Sequence, residues 1–133
     1  MRSASSAIYM TKTLAKLFGW ILIIVGALGF IANPLVGMTG YFHANGAHNV
    51  VHIVLGLVLV LAAKSAEKGA LWLKVVGVVA VLVAILGFMS TTGTILGFIE
   101  TNAAANWLHL VLGVVFFLSG FSGGKAPMQT TQM

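Results

Sequence analysis

Long apolar runs alternate with short polar breaks along this chain. Four runs stand out, at about residues 14–33, 47–63, 71–89 and 105–121. Each approaches the ~20 residues with which an α-helix crosses a ~30 Å hydrocarbon core. None has Asp, Glu, Lys or Arg in its middle. In lipid a backbone must satisfy its own hydrogen bonds, so runs of this kind predict helices rather than strands. The pattern therefore predicts an all-α fold, a four-transmembrane-helix bundle forming one membrane domain over 1–133. The ends, 1–9 and 123–133, show no apolar periodicity and are expected to be mobile. Met10 is a second candidate start, because the Ser/Ala-rich segment before it lacks that periodicity.

The polar breaks carry a second pattern. Arg2, Lys12 and Lys16 precede or open the first run. Lys64, Lys68 and Lys74 flank the break between the second and third, and Lys125 follows the fourth. If the four helices cross in turn, every Lys and Arg falls on one side, which the positive-inside rule makes the cytoplasm. Both termini are then cytoplasmic. The two outer loops, about 34–46 and 90–104, hold a single charge, Glu100. A basic start before an apolar helix also resembles a signal peptide, but helix 1 takes part in an internal repeat.

The two halves of the chain align at an offset of roughly 57 to 58 residues. Lys16, Gly19, Val25 and Leu28-Gly29-Phe30 answer Lys74, Gly77, Val83 and Leu86-Gly87-Phe88. In the outer loops Gly40-Tyr41 answers Gly97-Phe98. Asn45, Asn49, His52 and Gly56 then answer Asn102, Asn106, His109 and Gly113. Asn, His and Gly recurring in register exceed what shared hydrophobicity produces. Each unit has two spans, so the copies enter the membrane in the same sense and form two parallel-repeat hairpins, with helices 2 and 4 as symmetry mates. Stripes of small residues, Gly19/Gly26/Gly29 and Gly77/Ala80/Ala84/Gly87, predict close helix packing.

Composition agrees: 59% of the 133 residues are hydrophobic and 7% charged, against about 25% charged in soluble domains. A soluble chain this short could not hide so much apolar surface. There is no Cys, which removes disulfides, thiolate sites and cysteine nucleophiles. The acids number two, Glu67 and Glu100, with no Asp, which nearly excludes a two-carboxylate hydrolase and an oxygen cage for Mg²⁺ or Ca²⁺. No nucleic-acid partner is expected despite the pI near 10, since the basic residues are scattered among apolar spans. Trp20, Trp72 and Trp107 fall near the interfaces and read as an aromatic belt.

The duplicated polar feature inside the apolar spans is Asn-x-x-His-x-x-x-Gly. Offsets of 0, 3 and 7 put Asn49, His52 and Gly56 on one helix face, and Asn106, His109 and Gly113 on another. Two readings stay open. In the first, each His bonds an Asn or a loop carbonyl, Asn49 and Asn106 cap their helices, and the glycines admit the neighbouring helix. In the second, His52 and His109 at equal depth are axial ligands of a tetrapyrrole, haem b or chlorophyll. A metal site built from His43, His48, His52 and His109 is less well supported, because His43 and His48 have no repeat counterparts and no Cys or Asp joins them. No metal is therefore expected, and His48 reads as an interfacial residue in water. Transport is disfavoured by the apolar middle of every span.

Through Leu28-Gly29-Phe30, Asn49, His52 and Gly56, and again through Leu86-Gly87-Phe88, Asn106, Trp107, His109 and Gly113, the chain resembles a family of small bacterial four-helix membrane proteins of unknown function. The resemblance covers roughly Lys12 to Gly120. It implies the fold and a bacterial inner membrane, and no activity. The expectation is a non-enzymatic protein of the lipid bilayer, a structural or accessory subunit beside a membrane-protein partner or in a homo-oligomer, with tetrapyrrole binding as the alternative.

Overall fold

A computed structural model describes residues 3–123. Four α-helices make up most of it: α1 (Ala4–Leu28), α2 (Gly46–Ala62), α3 (Ala66–Met89) and α4 (Ala103–Ser119). Between α3 and α4 lies a small antiparallel hairpin of β1 (Thr94–Ile95) and β2 (Ile99–Glu100), which no periodicity in the sequence announces. By length and composition α1 and α3, of 25 and 24 residues, are apolar enough to cross a membrane; α2 and α4 are apolar helices of 17 residues.

Side-chain caps set the helix starts. Ser3, Asn45, Ser65 and Asn102 each accept a hydrogen bond from the backbone N–H three residues on, at 3.0–3.3 Å. Such a cap satisfies one of the donors that a helix start leaves unpaired. Glu67 in the first turn of α3 places negative charge at the positive end of that helix dipole.

Two boundaries differ from the apolar pattern. Helix α1 starts ten residues earlier than the run at 14–33 and so takes in most of 1–9, expected to be mobile. Ala and Ser tolerate a helix without any apolar stripe, and Ser3 caps it. Near the same end, buried Thr11 meets Ser122 with its hydroxyls 2.9 Å apart. Helix α1 also stops at Leu28, because the Asn33 amide donates to the Leu28 carbonyl at 2.9 Å while its oxygen accepts from Leu35 and Val36. Of the tail 123–133, everything after residue 123 lies outside the described residues.

The helices pair as two hairpins. Helices α1 and α2 approach until backbone meets backbone: a Cβ on Gly19 would lie 2.8 Å from the Gly56 carbonyl oxygen, and one on Gly56 would lie 2.6 Å from that of Gly19. In α3 and α4 the corresponding distances are 2.7 Å from Gly77 to the Gly113 oxygen and 2.9 Å in reverse. The core between hairpins is small: Ala15, Leu59, Leu73, Val76 and Phe116 are buried, and Phe18 stacks on Phe116 with centroids 4.4 Å apart. Helices α2 and α4 have no close backbone approach to each other.

The outside is apolar. Ile24, Leu61, Leu82, Val111 and Leu118, spread over all four helices, are each more than half exposed.

The glycine contacts generate a test. Gly77→Ala brings a methyl within 2.5 Å of the Phe117 backbone nitrogen, and overpacking of this kind costs about 1–3 kcal/mol. Thermal unfolding in detergent is expected to drop accordingly. Gly46→Ala, whose nearest neighbour is the Phe30 ring at 3.7 Å, is expected to leave stability unchanged or to raise it.

Candidate functional site

Both loops that join the helices of a hairpin lie at the same end of the bundle. Asn45 and Asn102 join them reciprocally. The Asn45 amide donates to the Phe98 carbonyl at 2.7 Å, and the Asn102 amide donates to the Tyr41 carbonyl at 2.9 Å. Tyr41 and Phe98 are themselves repeat counterparts, so each hairpin gives and receives the same bond. These same asparagines cap α2 and α4. The capping expected of Asn49 and Asn106 therefore falls to residues four positions earlier, which lie just outside the helices where a cap must be.

Asn49 and Asn106 are instead buried one turn further in, against the neighbouring helix. Asn49 packs on Gly29 and Asn106 on Gly87, each occupying the space that a Cβ there would need. Their surroundings differ in one hydroxyl group. The Thr101 hydroxyl donates to Asn106 Oδ1 at 2.7 Å. The position equivalent to Thr101 is Ala44, and Asn49 Oδ1 is buried without a partner.

His52 and His109 face each other across the gap between α2 and α4, with Nε2 atoms 3.5 Å apart. A third imidazole joins them. His48 Nε2 lies 3.4 Å from His109 Nε2, and the His48 ring stacks on that of His109 with centroids 5.2 Å apart. His48 is 4% exposed, so its expected place in interfacial water is corrected to the interior. The reason is the spacing His48–His52: at i, i+4 the two rings share one face of α2, with centroids 4.6 Å apart. The Nδ1 of His48 lies 2.8 Å from the Glu100 carbonyl oxygen on β2. Only an N–H can bond a carbonyl, so His48 carries its proton there and turns a bare Nε2 toward the other rings.

His52 has no such support: its Nδ1 is buried without a hydrogen-bond partner. At His109 the ring has only a weak backbone hydrogen bond to Ala105, one turn back on α4. His43 stays apart from the cluster; its backbone N–H donates to Asn102 Oδ1 at 3.3 Å. Below the three rings is a cavity of about 170 Å³, lined by apolar side chains of all four helices, among them Phe18, Leu55, Val83 and Leu112. The imidazoles are its polar feature. Sequence reasoning selects two of the three rings from the repeat and ranks the third below them, because Ala105 stands where a duplicated His48 would be. The i, i+4 spacing on α2 is the signal that already places His48 on the face of His52.

A family profile described as a domain of unknown function (DUF4383) matches residues 12–122. The chain belongs to that family. No curated protein and no solved structure matches it.

Thr101→Val keeps the shape and removes the donor to Asn106. Leaving a buried acceptor unpaired costs about 1–3 kcal/mol, and thermal unfolding of the variant is expected to fall by a corresponding amount.

Proposed function

We propose that this member of the family is a multi-pass membrane protein whose four helices all cross the bilayer, with both termini cytoplasmic, and that it serves as a non-enzymatic accessory subunit of a larger membrane assembly. The observation that carries the membrane reading is the apolar exterior. Large side chains such as Ile24, Leu61, Leu82, Val111 and Leu118 are turned outward on every helix, while glycine and alanine fill the helix contacts. Water-soluble monomers rarely expose contiguous apolar patches beyond a few hundred Å². Small residues between helices and large ones outside is the arrangement that lipid favours. The 17-residue helices α2 and α4 fit a thin span or a span prolonged by the capped loops. A bacterial inner membrane is the setting proposed, in keeping with the family resemblance.

The orientation rests on charge. Lys64 and Lys68 lie at or beside the α2–α3 turn, opposite the end that carries Glu100. The accessory role rests on composition: among the described residues no nucleophile–base pair and no pair of carboxylates meets, and the buried polar groups are asparagines, threonines and imidazoles.

The tetrapyrrole alternative draws support from the approach of His52 and His109. Two features weigh against it. A macrocycle between the two Nε2 atoms would have to extend sideways through the space that the His48 ring fills. The cavity, about 170 Å³, is also smaller than the roughly 300–1,000 Å³ of sites that enclose cofactor-sized ligands.

The native chain has no Cys, so single cysteines report topology directly. Thr92→Cys is expected to react with an impermeant thiol reagent in intact cells, and Ser65→Cys only after permeabilisation; the reverse pattern, or equal labelling, overturns the orientation. Mild-detergent extraction is expected to yield the chain with a stoichiometric membrane partner, and a lone monomer overturns the accessory role. Absence of a Soret band in the same preparation removes the tetrapyrrole alternative.

A further inference from the structure

We propose that His48, His52 and His109 bind one d¹⁰ transition-metal ion, Zn²⁺ or Cu⁺, through their Nε2 atoms, with a further coordination position opening into the apolar cavity. This goes beyond an accessory role and does not depend on any partner.

Zn–N bonds of about 2.0–2.1 Å in a tetrahedral site set neighbouring ligand nitrogens about 3.3–3.4 Å apart, and a trigonal site with the same bonds sets them at about 3.5 Å. The two Nε2 separations to His109 are 3.4 and 3.5 Å. One donor nitrogen from each of the three rings can be chosen so that all lie within 4.8 Å of one another. The third separation, between His48 and His52, is the one that ring rotation must set when an ion binds. The rings come from two helices whose backbones stay apart, so the space between them is spanned by the imidazoles.

Proton bookkeeping is the second observation. His48 is protonated at Nδ1 by its bond to the Glu100 carbonyl, which leaves a lone pair on Nε2. A neutral imidazole has one N–H. If His52 and His109 are also protonated at Nδ1, three lone pairs converge with no hydrogen between them. If His109 carries its proton on Nε2, that one hydrogen faces two possible acceptors, and its Nδ1 becomes a buried acceptor without a partner. If His52 carries its proton on Nε2, its own Nδ1 is left in that state instead. No assignment satisfies every ring nitrogen. A cation among the three Nε2 atoms uses all three lone pairs at once and removes the conflict between them, leaving Nδ1–H of His52 as the ring group without a partner.

The surroundings then choose the class of ion. Three neutral nitrogen donors without carboxylate or thiolate exclude hard ions such as Mg²⁺ and Ca²⁺ and suit imidazole-seeking metals. The bond from His48 to the Glu100 carbonyl is the kind of outer-sphere support that metal-bound histidines ordinarily have. Apolar walls disfavour residual charge. Zn²⁺ would therefore take an anion such as hydroxide or chloride in the open position, whereas Cu⁺ needs none. Glu100, the one acid near this end of the bundle, belongs to the strand whose carbonyl holds His48, and its charge draws cations toward the mouth.

The test uses the full chain purified in detergent, stripped with a chelator, and loaded with Zn²⁺ or, under reducing conditions, with Cu⁺. One ion per chain is expected to survive gel filtration for wild type and for His43→Ala. His48→Ala, His52→Ala and His109→Ala are each expected to weaken retention by about 100-fold or more, at or beyond the loss that follows removal of an outer-shell partner. Whichever ion wild type retains against the other names the metal. X-ray absorption of loaded wild type is expected to show three imidazole nitrogens at about 2.0 Å. Failure of wild type to retain either ion overturns the site. So does retention unchanged in His109→Ala, or lost in His43→Ala. If an alanine variant does not fold, the absorption spectrum and the ion-dependent rise in unfolding temperature of wild type decide the matter alone. None of these outcomes bears on whether a membrane partner exists, so this proposal and the accessory reading fail separately.

Discussion

Backbone contact through glycine governs how the rest of this protein is arranged. Where Gly19 meets Gly56, and Gly77 meets Gly113, no side chain stands between the helices. Helices this close are held in register, because Gly19 is seated against Gly56 and Gly26 against the Asn49 backbone. The register so fixed places Asn49 on Gly29 and Asn106 on Gly87, two turns further along. Tightness within each hairpin leaves space between them. Helices α2 and α4 do not touch along their backbones, and the cavity and the three imidazoles occupy the gap that results. Close packing in one direction thus makes a polar site possible in the other.

At the loop end the hairpins are fastened by asparagine. Each of Asn45 and Asn102 accepts from the first turn of its own helix and donates to the opposite loop. One side chain sets where a helix begins and also which loop covers the neighbouring hairpin. The His48–Glu100 bond follows from this, since β2 is held over the start of α2 by the same connection.

The sequence made the four helices, the repeat, the glycine contacts and the meeting of His52 with His109 legible, because each rests on periodicity or on residues that occur twice in register. What it hid has a common physical origin. The Ser/Ala start of α1 is helical without an apolar stripe, so a search for stripes passes over it. The β1–β2 hairpin is two residues deep on each side, too short for alternation to register. His48 was set aside because the repeat ranks only duplicated residues, while its part in the cluster depends on how far a ring reaches across a gap. The same bias concealed Thr101, whose counterpart is Ala44: a hydrogen bond present in one half and missing in the other has no signature in a self-alignment.

The reciprocal bond between the loops has a further consequence. A surface that gives and receives the same contact is self-complementary, as in an isologous two-fold dimer, so one hairpin carries both sides of the joint that holds it to the other. Two identical hairpins joined in this way could place only an even number of imidazoles at their boundary: four if both carried His48 and His52, two if both carried the Ala105 and His109 pattern. Three is an odd number, and two-fold symmetry forbids it for rings that lie off the axis. The cluster therefore requires unequal halves, and a single chain encoding both hairpins is what allows one copy to keep a histidine where the other has alanine.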